Sequence, residues 1–258
     1  MLKTRIIPIL LTDGKGNCVK PIKFQRPYRK VGSLMQYIKN MNMRDVDELI
    51  VLDIEASREG RLIDAEKIKQ YTKELYCPVT LGGGIKNLDD ISLLLNSGAD
   101  KISLNTALLG ANINNSYLVE KATRKFGSQA IVAAIDHVDK YSVKFGDTQI
   151  NGVFNSKEWS AKYYSKQAEK QGAGEILLTD TFCDGAMEGY NIDLINTVTY
   201  ELNIPVIANG GCGEPAHMHE ALCAGAHAIA VGSMFLYKDH TPKQCAQYLA
   251  QKGWATRL

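Results

Sequence analysis

No apolar run in this 258-residue chain reaches the roughly 18 residues of a membrane span. No leader with a charged, an apolar and a small-residue segment precedes the strand-like Arg5-Ile6-Ile7-Pro8-Ile9-Leu10-Leu11. The expectation is a cytoplasmic protein with no membrane partner. The six cysteines form no C-x-x-C pair, which speaks against both a disulfide framework and a zinc site, and no metal or cofactor is expected. A net charge of only +2 removes the global electrostatic case for nucleic acid. No Pro/Ser-rich linker divides the chain, so one closed domain is expected.

Against these absences stands an internal repeat. Asp47-Glu48-Leu49-Ile50-Val51-Leu52-Asp53 returns as Gly174-Glu175-Ile176-Leu177-Leu178-Thr179-Asp180, and Gly82-Gly83-Gly84-Ile85 returns as Asn209-Gly210-Gly211-Cys212. Ala99-Asp100-Lys101-Ile102 returns as Ala226-His227-Ala228-Ile229, and the offset is 127 residues each time. Two equivalent halves, about 1–127 and 128–258, explain this. Nearly continuous Ile/Val/Leu runs at 5–11, 48–53, 78–81, 101–104, 130–135, 175–179, 205–208 and 228–231 fit parallel strands covered on both faces. Helix-period segments separate them at 34–44, 62–75, 88–97, 114–126, 157–171, 191–202, 215–224 and 242–252. The pattern is that of a (β/α)8 TIM barrel made of two half-barrels. Gly98, Gly172 and Gly225 read as helix stops. Two long connections, about 12–31 and 137–155, stand above the catalytic face, the first as a lid or a disordered segment and the second as a small hairpin over 141–145 and 148–153.

In such a barrel the chemistry sits at the strand C-terminal ends. Gly82-Gly83-Gly84 with Asn105-Thr106 offers backbone N–H groups and a hydroxyl for one phosphate; Asp184-Gly185, Gly210-Gly211 and Gly232-Ser233 form a second such place. A ligand phosphorylated at both ends would bridge them. The competing reading of each glycine run is a tight turn that needs positive φ. Asp136, closing Ala133-Ala134-Ile135-Asp136, is a candidate general acid or base, with loop capping as its alternative. Arg5, Glu48, Lys101 and Glu175 begin strands at the opposite mouth, where two cations and two anions can alternate in a ring. Such a ring is either a plug that stabilises the barrel bottom or a gate over a channel.

Arg5–Pro8, Asp47–Leu49, Gly82–Ile85, Gly98–Lys101, Phe126-Gly127-Ser128-Gln129, Gly172–Thr179 and Asp184-Gly185 together resemble the cyclase subunit of imidazole glycerol phosphate synthase, from histidine biosynthesis, over nearly the whole chain. The resemblance implies a ligand with two phosphates, held at positions matching Gly84, Asn105, Thr106, Asp184, Gly185, Gly211, Gly232 and Ser233. It also implies a mobile-loop lysine at Lys20 and a catalytic aspartate at Asp136. A glutaminase partner would dock at the barrel bottom, with ammonia crossing a gate of Arg5, Glu48, Lys101 and Glu175.

One departure bears on activity: the family's first catalytic aspartate is matched here by Leu11. Losing one partner of an acid/base pair removes a factor of about 10²–10⁴, and Asp13, two residues on, would share a face with residue 11 if the strand continued. Phe182, Asn209 and Leu236 also replace the family's usual residues. Stand-alone cyclase turnover is therefore in doubt, while the lower gate is intact. Paralogues of this cyclase in bacterial surface-polysaccharide gene sets resemble ammonia-supply units for a third, sugar-amidating protein, and that role is expected here; a genuine cyclase, or a scaffold for the glutaminase, is the alternative.

Overall fold

The computed structural model describes residues 3–73, 75–109, 117–151 and 159–257. Positions 74, 114–116 and 157–158 of three expected helices, and 152–155 of the expected insertion, lie outside the described residues. Eight strands form a closed parallel barrel: β1 (Arg5–Thr12), β4 (Leu49–Asp53), β5 (Val79–Gly82), β6 (Lys101–Leu104), β7 (Ile131–Asp139), β10 (Glu175–Asp180), β11 (Val206–Asn209) and β12 (Ala228–Val231). They pair in that order, β12 returns to β1, and β10 pairs β7 in register Thr179 to Asp136. Two antiparallel additions rise above the strand C-terminal ends. β2 (Asn17–Lys20) and β3 (Arg29–Ser33) extend β1, while β8 (Ser142–Phe145) and β9 (Thr148–Asn151) extend β7. The 12–31 connection is thus a folded hairpin rather than a structureless loop. Its strand pairing fixes backbone that the local sequence, rich in Lys, Pro and Gly, does not announce.

Why β1 sits as it does is visible in its alternation. Ile7, Ile9 and Leu11 enter the barrel bore with Val19, Ile50, Val132, Ala134, Leu177, Ile207, Ala228 and Ala230. Ile6 and Leu10 face outward into the larger core beneath the helices. A one-residue slip would exchange the two sets, so burial on both faces pins the register.

The helices are α1 (Leu34–Met43), α2 (Ala65–Thr72), α3 (Leu88–Asn96), α4 (Leu118–Phe126), α5 (Ser160–Lys170), α6 (Ile192–Thr199), α7 (Pro215–Cys223), the short α8 (Ser233–Tyr237) and α9 (Pro242–Gln251). Asp64, Asn87 and Asn191 accept bonds from the first-turn N–H groups of α2, α3 and α6, and Thr241 with Gln244 makes a capping box on α9. α2 and α6 end on Thr72 and Thr199, whose hydroxyls donate to Ser97 O at 2.9 Å and Ala224 O at 3.1 Å. Those two bonds lie 127 residues apart, beside Gly98 and Gly225 at φ +102° and +101°. Among the described residues no helix is long and apolar enough to cross a membrane.

Candidate functional site

A cavity of about 420 Å³ opens at the strand C-terminal ends. Its floor is aliphatic, from Ile9, Leu11, Leu52, Ala134 and Leu177; its wall is polar, from Asp136, Thr179, Asn209 and Lys144. The β2–β3 hairpin roofs it with Lys20, Pro21, Phe24, Arg26 and Tyr28.

Asp136 follows the fully buried run 131–135 of β7 and meets the cavity with part of its surface. Burial pushes its carboxyl up to about 7, the nearby Asp184 charge adds to this, and hydrogen bonds from Thr179 and Asn105 with the charge of Lys144 oppose it. Asn105 Nδ2 donates to Asp136 Oδ2 at 3.2 Å and to Ala134 O at 3.0 Å, and its Oδ1 accepts from Gly146 N–H at 2.8 Å. The Asn105 side chain thus clamps β7 to the β8–β9 turn, and the phosphate role expected of this place rests on backbone N–H groups rather than on this amide. On the other flank Asn209 Nδ2 donates to Thr179 Oγ1 at 3.1 Å. Sequence reading missed Thr179 as a site residue, although it stands opposite Asp136 at the end of β10. A folded value above the ordinary 3.8 means that Asp136 favours the fold below that value and loses this contribution as pH rises through about 7. Relative to wild type, Asp136→Asn is therefore expected to gain stability from about pH 4 to about pH 7 and to level off above, measured by urea melts across that range.

Asp13 does not line the cavity. β1 stops at Thr12, and the Asp13 carboxylate turns to accept Asn17 Nδ2 at 2.7 Å, Lys15 N–H at 2.9 Å and Asn17 N–H at 3.3 Å. Its slight burial would raise its pKa, but these bonds hold it below the ordinary value. Asp13 is a turn cap, which corrects its expected role as a substitute acid. Leu11 keeps its predicted place, 9% exposed on the cavity floor.

Lys20 is folded inward. Its Nζ lies 2.8 Å from Asp184 Oδ1, with both side chains buried, so Asp184 holds the roof lysine rather than an anion. The Asp184 N–H is bonded to Asp180 O at 3.0 Å and its carbonyl accepts Lys23 N–H at 2.8 Å. A side chain at Gly185 would meet Pro21 O at 2.9 Å, so that glycine admits the roof. Gly232 does the same for the lysine head: a Cβ there would stand 3.2 Å from Lys20 Nζ. Beside it, Ser233 Oγ at the start of α8 is buried without a hydrogen-bond partner. Lys20, Gly232 and Ser233 thus gather a cation and a free hydroxyl at the second expected phosphate place.

The glycine runs have a packing role of their own. A Cβ on Gly84 would lie 1.8 Å from Arg61 O, and one on Gly211 would lie 1.9 Å from Gly189 O, at φ +71° and +111°. Only glycine fits these close approaches. Thr106 is exposed, its Oγ1 3.5 Å from Ser57 Oγ.

At the opposite mouth the four predicted residues form a closed ring. Arg5 reaches Glu48 at 2.7 Å and Glu175 at 2.6 Å; Lys101 reaches Glu48 at 3.1 Å and Glu175 at 2.9 Å. Thr80 Oγ1 adds a bond to Glu48 at 2.9 Å. Burial works to raise Glu175, but Arg5 and Lys101 outweigh it and hold the carboxyl below its ordinary 4.5. Stability from this pairing is present above the unfolded value and lost as pH falls through the lower folded one. Wild type should therefore lose stability below about pH 4.5 more steeply than Glu175→Gln, as read from denaturant midpoints between about pH 5 and pH 3.

Fold and site together define a (β/α)8-barrel protein with a roofed small-molecule cavity above the bore and a charged ring below it. The chain belongs to the histidine biosynthesis protein family, whose profile matches residues 5–241, and within it to the HisF type. It is 42% identical over 258 residues, with all of both chains covered, to a Campylobacter jejuni protein provisionally named imidazole glycerol phosphate synthase subunit hisF2. It is 39% identical to the imidazole glycerol phosphate synthase subunit HisF of Thermococcus onnurineus and 38% identical to that of Clostridium botulinum (strain Okra), in each case over all of this chain and at least 99% of the relative.

Proposed function

We propose that this protein is the synthase-type subunit of a glutamine amidotransferase complex that carries ammonia without closing an imidazole ring. A glutaminase docks at the charged mouth in the cytoplasm, ammonia passes the Arg5–Glu48–Lys101–Glu175 ring and the aliphatic bore, and the nitrogen goes to a third protein that amidates a (nucleotide-)sugar for surface polysaccharide. The observation that carries this is the state of the carboxylates lining the cavity: Asp53, Asp147 and Asp184 are ion-paired with Arg61, Arg26 and Lys20, Leu11 lies on the floor, and Asp13 is committed to its own turn, so Asp136 alone is left for proton transfer. The relative provisionally named hisF2 fits a paralogue of the cyclase subunit, as this reading requires. So does the complete ring, which a barrel with no nitrogen to pass would have no chemical need to keep.

A second reading, a genuine imidazole glycerol phosphate synthase cyclase, draws support from Asp136, whose pKa of about 7 suits proton transfer near neutral pH, and from Lys20 poised at the second phosphate place. Cyclase turnover with free ammonium separates the two readings. For the gate, Lys101→Ala should change glutamine-dependent product formation while leaving glutamine-independent turnover of the partner system untouched; unchanged coupling would remove these four residues from the nitrogen path. The equal spacing of the threonine bonds and of the glycines Gly84 and Gly211 supports two half-barrels, 1–127 and 128–258.

A further inference from the structure

Lys144 is a charged residue on the cavity wall that the reading above leaves without a task. In the antiparallel β7–β8 pair it stands directly opposite Asp136, and side chains opposed in this way share a face, with Cβ atoms about 4.5–5.5 Å apart. Both residues line the cavity. Among the described residues Lys144 makes no side-chain hydrogen bond or ion pair; its ammonium instead lies 5.9 Å from the ring centroid of Phe24 in the roof. Phe24 and its neighbour Lys23 both hold left-handed backbone, at φ +57° and +52°. Two such residues in succession persist only where surrounding contacts over-determine them. The turn's own Gln25 N–H bond to Ile22 O at 3.0 Å and the Lys23 N–H bond to Asp184 O at 2.8 Å hold the backbone, and the Lys144 ammonium beside the Phe24 ring adds a contact to the side chain.

We propose that Lys144 is a positioning residue that ties the roof to Asp136, holding Phe24 over the cavity from below while its charge favours the ionised carboxylate beside it. Closure of the roof and ionisation of Asp136 are then linked. With the roof shut, the ammonium is pinned between ring and carboxylate; with it open, the ammonium is released towards solvent and its help to the charged carboxylate weakens. The other charges around Asp136 do not fill this role. Asp184, from the loop after β10, opposes ionisation and is paired with Lys20 of β2. β6 and β10 contribute the neutral Asn105 and Thr179. At the rim, Arg26 and Arg58 pair with Glu55 and Asp147.

The test uses the full chain and needs no knowledge of the reaction. The Asp136 carboxyl carbon, assigned with Asp136→Asn, is titrated by ¹³C NMR in wild type, Lys144→Met and Lys144→Arg. The midpoint in Lys144→Met should rise by up to about 1 unit, the low end of the range for an opposite charge 4–6 Å away, and Lys144→Arg should restore it. Tryptic cleavage after Lys23 reports roof opening. It should quicken about two- to five-fold in Lys144→Met and in Phe24→Leu, as expected for loss of one ammonium–ring contact. The double variant should be cleaved no faster than either single one, because both remove the same contact. An unchanged Asp136 midpoint in Lys144→Met, or cleavage rates that multiply in the double variant, would overturn the proposal. Neither measurement involves ammonia transfer, so failure here and failure of the proposed function are distinguishable.

Discussion

Given the cyclase substrate of the histidine pathway and excess ammonium, the wild-type protein is expected to turn over at least about 10²-fold below an ordinary enzyme rate, and Leu11→Asp is expected to recover part of that deficit. The reasoning is geometric. Proton transfers on two sides of a closing ring need two groups within reach of it, and of the carboxylates lining this cavity only Asp136 is not tied up in an ion pair, Asp53, Asp147 and Asp184 being held by Arg61, Arg26 and Lys20. Leu11 reaches the cavity from the last turn of the bore, so a carboxylate placed there would face the same space. It would also stand among Ile9, Val19 and Ile50, where an unpaired carboxylate is poorly solvated. Leu11→Asp should accordingly cost about 2 kcal/mol or more of stability and titrate above the usual carboxylate range. Leu11→Ala, which opens the same space without a proton-transfer group, should recover nothing. Full turnover by the wild-type protein would establish the histidine enzyme and end the proposal of nitrogen delivery to another protein.

The second large effect is expected at the other mouth. Glu48 is the most buried member of the ring, at 3% side-chain exposure, and it binds Arg5, Lys101 and Thr80 at once. Glu48→Ala leaves two cations sharing Glu175 and strips Thr80 of its partner. Breaking a buried ion pair from one side costs about 3–5 kcal/mol. For a chain of this size that corresponds to a melting-temperature drop of roughly 6–20 °C. Replacing the whole ring with apolar residues of similar volume should cost far less, because no buried charge is then left alone. Differential scanning calorimetry of the single and fourfold variants distinguishes the cases. A single variant as stable as wild type would mean that water enters this mouth and screens the ring.

The barrel was legible because its signals are local. The Ile/Val/Leu runs from Arg5–Thr12 to Ala228–Val231 carry their own burial pattern, and Gly98, Gly172 and Gly225 punctuate the helices. The ring was legible as well, since its four residues open four strands and the fold carries strand starts to one mouth. The roof was not. Lys20 meets Asp184 across 164 positions, and no periodicity announces a contact of that separation. Asp13 misled for a related reason: the two-residue period holds only while a strand continues, and the bonds from Asn17 and Lys15 end β1 at Thr12. Asn105 lay at the expected place, but the turn carrying Gly146 claims its side chain, and that turn belongs to a hairpin read only in outline. The hairpin register that sets Lys144 against Asp136 could not be read from alternation in so short a strand.

The bore itself has a consequence. In the bore above the ring Ile7, Ile50, Val132, Ile207, Ala228 and Ala230 pack into one buried aliphatic layer. If nitrogen crosses this layer as proposed, the layer discriminates as a thin lipid film does, by partition rather than by recognition. A charged amine would have to shed its proton before entering, because an unpaired cation in such surroundings costs several kcal/mol or more. Whatever nitrogen species travels this way arrives neutral, as a nucleophile, and regains a proton only at the polar wall above.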